Sequence, residues 1–432
     1  MYLKNLSNNL HSLKNDSLNH FFATILICLF PAFLVSSSLL TNLFVVCIGF
    51  LFLFDAFKNK KFEYFNNKIF ILLSIFFLYL IINFLHSQSF NYIYDSPKRS
   101  IGFIRFILLA FAISYYLNNQ KFKYLQLVLS IWSFIFLFIS IDLLVEYFYG
   151  HNLFGMSNVF PGRLSGVMGN ELKIGGYFLG FFFIFIGFII KIFKHKKYLI
   201  LLPIVFFALI SFLIGERANF LKLLAGLVFF LIFLDGFKIR YKVLILSIML
   251  SLTIFVANSN QNLKARFLDQ FINYITENGI AQYYYNSQYG AHFGVSIKIF
   301  KNYPLMGNGI KNFMEECYAD DQKKYDDKRF LLNTARCNTH PHQLHLEILS
   351  QLGIIGYSMF LLFFIWFITN GIIIYKKNKN IFLLGALTFI MASLFIPLPS
   401  GSFFTTFGAS IFWINFGLAL TFQKVKLIDQ IK

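Results

Sequence analysis

A chain of 432 residues that is 57% hydrophobic and 20% aromatic carries only 13% charged residues, about half the share found in soluble domains. Its net charge of +19 is spread in short clusters between apolar runs. That is how membrane topology is written, whereas nucleic-acid binding gathers basic residues on one domain face. Composition therefore excludes a soluble fold, makes the lipid bilayer the first expected partner and leaves no role for nucleic acid.

In chain order, a polar and basic start with Lys4 and Lys14 gives way to an apolar run that continues past Leu39 without a small-residue cleavage signal. This run is expected to be an uncleaved first helix. About 20 apolar residues span the hydrocarbon core. The predicted spans are Phe21–Leu39, Leu40–Phe57, Ile69–Leu85, Ile101–Leu117, Tyr124–Tyr147, Gly175–Ile192, Tyr198–Ile214, Phe220–Leu234, Val243–Ala257, Leu352–Tyr375, Ile381–Pro397 and Phe403–Phe422. The expected fold class is an all-α polytopic membrane protein with about twelve transmembrane helices.

Alternate connections carry the basic residues: Lys58, Lys60, Lys61 and Lys68; Lys121 and Lys123; Lys191, Lys194, Lys196 and Lys197; Lys238, Arg240 and Lys242; Lys376, Lys377 and Lys379; Lys424, Lys426 and Lys432. All fall on one side if both termini are cytoplasmic. The other side then holds two longer segments, near 151–174 and over 258–351. The chain divides into residues 1–257 with nine helices, the large exterior loop 258–351, and residues 352–432 with three more. A loop of that length is where function is expected. The acidic pair Asp320 and Asp321 within it reads as solvated charge.

Of four cysteines, Cys28 and Cys47 lie in apolar spans and read as small hydrophobes. Cys317 and Cys337 share the large exterior loop, where oxidation is permitted. A bridge between them would close about 20 residues and stabilise the loop by roughly 3 kcal/mol; free thiols are the alternative.

The densest polar cluster runs from Arg336 through His340, Pro341, His342, Gln343 and His345 to Glu347, directly before a span. His342 and His345 recur at helical spacing, which predicts one helical turn with Pro341 in its first position. A histidine there can accept a proton near working pH. The competing readings are interfacial anchoring and a metal site, but the H-E-x-x-H pattern is absent. The second feature is Arg217 with Glu216 at a tight exterior turn. A third is Arg163 on the shorter exterior loop, with Glu171 and Lys173 nearby. Guanidinium forks bind phosphate oxygens bidentately, so these arginines suit a pyrophosphate at the membrane surface. No Walker A sequence and no nucleophile elbow occurs.

Three stretches resemble the O-antigen ligase / O-antigen polymerase family of bacterial inner-membrane glycan transferases. They are His342-Gln343 followed after nine residues by Gly353-Ile354-Ile355-Gly356, Arg217-Ala218-Asn219-Phe220-Leu221, and Tyr303-Pro304-Leu305-Met306-Gly307-Asn308-Gly309. The resemblance implies an inner-membrane enzyme with its site facing the periplasm. The donor would be an undecaprenyl-pyrophosphate-linked glycan, and the acceptor a sugar of lipid A–core or another glycan. Transfer would invert the anomeric centre without metal or cofactor. It makes His342 and Arg217 the catalytic candidates, with Arg163, Glu171, Glu216, Arg336, His340 and His345 as binding candidates. Many members carry an arginine before the Pro-Leu-x-Gly stretch; here His292, Lys298 and Lys301 stand nearby, which leaves Arg266 or Arg336 to replace it. A polymerase joining repeat units is the alternative within the family, and a transporter or lipid flippase the alternative outside it.

Overall fold

The computed structural model describes residues 18–87, 96–118, 123–157, 160–169, 171–193, 198–318 and 322–424. Lys4, Lys14, Lys121, Lys194, Lys196, Lys197, Asp320, Asp321, Lys426 and Lys432 lie outside the described residues. The helices are α1 (Leu18–Ser36), α2 (Ser38–Lys58), α3 (Lys68–Ser87), α4 (Ser96–Gly102), α5 (Ile104–Asn118), α6 (Lys123–Tyr149), α7 (Ile174–Ile192), α8 (Tyr198–Leu213), α9 (Arg217–Phe233) and α10 (Ile239–Ser259). A π-helical segment, Lys264–Asn273, leads into α11 (Tyr274–Asn286), α12 (Gln288–Asn302) and α13 (Phe313–Tyr318). The chain ends in α14 (Leu344–Asn378), α15 (Ile381–Ser393) and α16 (Thr406–Lys424).

Every predicted span coincides with a helix. Eight spans among the described residues are long and apolar enough to cross a bilayer: α1, α2, α3, the α4–α5 pair, α6, α7, α10 and α14; α8 and α15 are apolar but shorter. No strand occurs among the described residues. In lipid every backbone polar group must be satisfied within its own segment, which makes an apolar chain helical. Breaks come where side chains satisfy a free helix end. Ser37 accepts Leu40 N–H at 3.1 Å to open α2, and Asn380 accepts Phe382 N–H at 3.1 Å to open α15.

The centre of the bundle is α5, α7, α15 and α16, which pack on one another. Lipid tails are as apolar as leucine, so helices associate through close approach and not through a hydrophobic drive. A Cβ added at Gly417 would fall 2.8 Å from the Ala110 carbonyl oxygen, and one at Gly385 2.8 Å from that of Phe183. The lysine-bearing end of α14 meets the end of α9: Lys379 pairs with Asp235 at 2.5 Å, and Lys376 lies over Phe233. The α1–α2 turn, the α6–α7 loop, the α8–α9 turn and the start of α14 occupy the opposite end of their helices.

The expected exterior loop is itself largely helical, and its last eight residues belong to α14. That helix is broken at Gly353 (φ 65°, ψ −172°). The break frees backbone groups that the Pro304–Gly309 stretch takes up. Asn308 N–H and Gly309 N–H donate to the Ser350 and Gln351 carbonyls at 3.0 Å, and Ile354 N–H donates to Pro304 O at 2.9 Å. From α3, Tyr79 donates to the Leu352 carbonyl at 2.5 Å, and Asn83 donates to Met306 O at 2.5 Å and Gln351 O at 3.2 Å. Gly307 and Gly353 face each other's backbones so closely that a Cβ on Gly353 would sit 2.2 Å from Leu305 O. The two glycine-bearing motifs are therefore the two halves of one backbone joint.

Candidate active site

The arginine side is assembled by backbone contact between three distant segments. Gly215 turns α8 into α9 at φ +75°, and a Cβ there would fall 1.9 Å from the Gly162 carbonyl oxygen. Leu164 N–H donates to Ile214 O at 3.0 Å. Arg266, on the π-helical segment, donates from Nε to Gly215 O at 3.2 Å, and Arg217 donates from Nη1 to Arg266 O at 3.2 Å. Arg163 pairs with Glu216 at 3.2 Å. Glu216 also accepts from Asn219 Nδ2 at 2.5 Å and Gly175 N–H at 3.4 Å.

Three guanidiniums thus gather around one buried carboxylate, and Arg163 takes it. Among the described residues neither Arg217 nor Arg266 has a carboxylate within ion-pair distance. Burial, with Arg217 and Arg163 close by, pulls Arg266 down to about 10. Burial pushes Glu216 up, against the neighbouring Arg163 and its hydrogen-bond donors. The group carries net positive charge beside the N-terminus of a 17-residue helix, an arrangement that favours a phosphate anion.

The histidine side sits before α14. The helix begins at Leu344, with Gln343 as its N-cap: Oε1 accepts Leu346 N–H at 2.6 Å, and Nε2 donates to Ile396 O at 2.5 Å. The expected helical turn through His342 and His345 is therefore corrected. Pro341 precedes the helix, and His342 is left-handed at φ +54°, because the capping geometry at Gln343 requires a sharp reversal before it. Ser400 N–H fixes the His342 carbonyl at 2.8 Å. The His342 ring lies 4.0 Å from His340, 5.3 Å from His292 and 5.7 Å from Tyr289 between centroids.

Burial, then His292 and Lys311, pulls His342 down to about 4. Burial, then His342, Lys311 and His292, pulls His340 to about 2. Both are neutral at neutral pH, so a ring nitrogen is open to accept a proton. Lys311, itself at φ +68°, reaches Ser402 Oγ at 2.8 Å, and Ser402 in turn donates to Glu347.

Tyr289, on the first turn of α12, joins the two sides. Its ring touches His342 edge-on, and it stands within electrostatic reach of Arg266. The arginine group and the histidine group therefore border one exposed tyrosine, although their residues span 163 to 342.

Residues 202–361 match the family model described as O-antigen ligase. That stretch of the chain is similar to the O-antigen ligase domain. No curated protein matches the sequence. The O-antigen ligase match takes in Arg217, Arg266, Tyr289, the Pro304–Gly309 stretch, His342 and the Gly353 break; Arg163 reaches the site from outside it.

Within and around the matched residues the remaining candidates divide clearly. His345 turns away from the other histidines, donating from Nε2 to Leu394 O at 2.8 Å and accepting from the Tyr357 hydroxyl at 3.3 Å. The Arg336 guanidinium pairs with Asp326 at 2.7 Å, while its backbone carbonyl holds His292 Nδ1 at 2.9 Å. Glu171, upstream of the matched residues, pairs with Lys173 at 2.6 Å in an exposed position. Cys317 and Cys337 form a disulfide with their Cα atoms 5.6 Å apart. No group of three or more His, Cys, Asp or Glu among the described residues has metal-holding geometry. Sequence reasoning missed Tyr289, Lys311 and the inner position of His292, none of which belongs to a motif.

Proposed function

We propose that the chain transfers a glycan from a polyprenyl pyrophosphate to a sugar hydroxyl, with lipid A–core as the acceptor. The carrying observation is the meeting of the Arg163–Arg217–Arg266 group and the His340–His342 pair at Tyr289. The arginines hold the pyrophosphate and take up its developing charge, each good donor being worth several kcal/mol. Neutral His342 accepts the acceptor's proton. The acceptor oxygen forms its bond to the anomeric carbon from the face opposite the leaving group, and the electron pair of the breaking C–O bond departs on pyrophosphate. Glu216 holds Arg163 in place. His340, packed on His342, keeps water from the ring.

In this reading both termini are cytoplasmic, twelve helices cross the bacterial inner membrane and the site opens to the periplasm. The lysine-bearing end of α14, at the far end of that helix from His342, supports that orientation. Complementing a deletion strain with wild type, Arg217→Ala and His342→Ala, and reading lipopolysaccharide and carrier-linked glycan on gels, tests it. Full-length glycan stranded on the carrier supports the ligase. Shortened chains would instead make it a polymerase joining repeat units, and wild-type behaviour of both variants would remove the site assignment.

A further inference from the structure

His292 is 1% exposed, on the inner face of α12. Its Nδ1 faces the Arg336 carbonyl at 2.9 Å, and a carbonyl can only accept, so Nδ1 carries the hydrogen in the neutral ring. That leaves the lone pair on Nε2, which has no hydrogen-bond partner and is buried. A buried acceptor without a partner costs free energy and calls for an explanation. The ring's nearest functional neighbour is His342, 5.3 Å away between centroids. Arg336 is held in turn: its side chain bonds Asp326 and the Asn333 carbonyl, and the next residue is disulfide-linked to Cys317.

We propose that His292 is a positioning residue whose Nε2 accepts the N–H of His342 when the acceptor sugar is bound, fixing which nitrogen of His342 is free to take the hydroxyl proton. The order is Arg336 carbonyl, His292, His342, acceptor hydroxyl. Hydrogen bonds at catalytic groups commonly tighten only in the substrate complex, and fixing the tautomer of a working imidazole is the standard use of such a partner. The other groups facing His342 are Tyr289 from α12, His340 from its own segment and Lys311 from the turn before α13. Tyr289 presents a ring in edge contact and Lys311 only donates; His340 Nε2 is also buried without a partner, but its Nδ1 faces the Thr339 hydroxyl, which can donate or accept and so does not fix the tautomer as the Arg336 carbonyl does for His292.

This inference rests on the reading of His342 as the base. The test uses full-length protein in detergent or membranes, with a polyprenyl-pyrophosphate-linked glycan and the lipid acceptor. His292→Asn keeps an N–H near the Nδ1 position and removes the acceptor; His292→Gln places an amide oxygen near Nε2. The expected result is a kcat loss of roughly 10–100-fold for the Asn variant, the range for removing the partner that orients a functional imidazole, at unchanged donor KM. The Gln variant should recover part of it. Equal loss in both variants, or wild-type rates in both, overturns the role of His292. Activity that survives His342→Ala removes the base reading itself, a separate outcome.

Discussion

At the residue scale the two proposed catalytic groups owe their character to opposite kinds of neighbour. Arg217 sits among cations where, among the described residues, the neighbouring carboxylate Glu216 is taken by Arg163, which leaves it to meet an anion. Arg217→Ala should lower kcat about 10²–10³-fold, the usual cost of one charge-stabilising donor. Arg217→Lys should recover little, since an ammonium lacks the fork that binds phosphate bidentately; steady-state rates on a lipid-linked donor check both. His342 is neutral because burial and the adjacent His292 and Lys311 hold it near about 4. The acidic limb of activity should therefore fall well below the ordinary histidine value of 6.5. The stability effect has the same sign. The unfolded chain binds a proton between 6.5 and about 4 that folded His342 refuses, so stability is fully present above 6.5 and declines as pH falls through that window. Thermal unfolding across that range measures it.

At the element scale the site depends on two backbone joints. In one, the Gly353 break pairs with Pro304–Gly309; in the other, Gly215 seats against Gly162. Gly353→Ala combines a left-handed backbone with a clash against Leu305 O. It should cost more than the roughly 1–3 kcal/mol of backbone strain alone. Gly279 offers the control: it is also left-handed at φ +82°, but with nothing within 4 Å of an added Cβ, so its alanine variant should show the strain without the clash. Melting temperatures of the two in detergent separate the contributions. The Cys317–Cys337 bridge ties α13 to the segment carrying Arg336 and His340. Cys317→Ser with Cys337→Ser should lose about 3 kcal/mol, read as earlier proteolysis of the region between α12 and α14.

At the whole-molecule scale the proposed topology predicts labelling. A single introduced cysteine at Lys60 or Lys377 should react with an impermeant maleimide only after the cells are opened, while one at Lys298 or Ser400 should react in cells whose outer membrane alone is permeable. Reaction of both sets from the same side would discard the orientation.

Much of this was legible in the chain. The charge deficit and the length of the apolar runs placed helices at all twelve segments, because lipid leaves an apolar backbone few other ways to satisfy its polar groups. The His342-Gln343…Gly353-x-x-Gly356 spacing and Arg217 pointed to both halves of the proposed site. What the chain could not show was how the halves meet. His342 was expected on a helix and instead stands in the reversal before one, because Gln343 takes the cap. Arg266, Tyr289, Lys311 and His292 carry no local pattern. They join the site through contacts between segments far apart in the chain. Periodicity along a chain records which face meets lipid; which polar groups share a pocket is decided only when the helices pack and the exterior segments close over them.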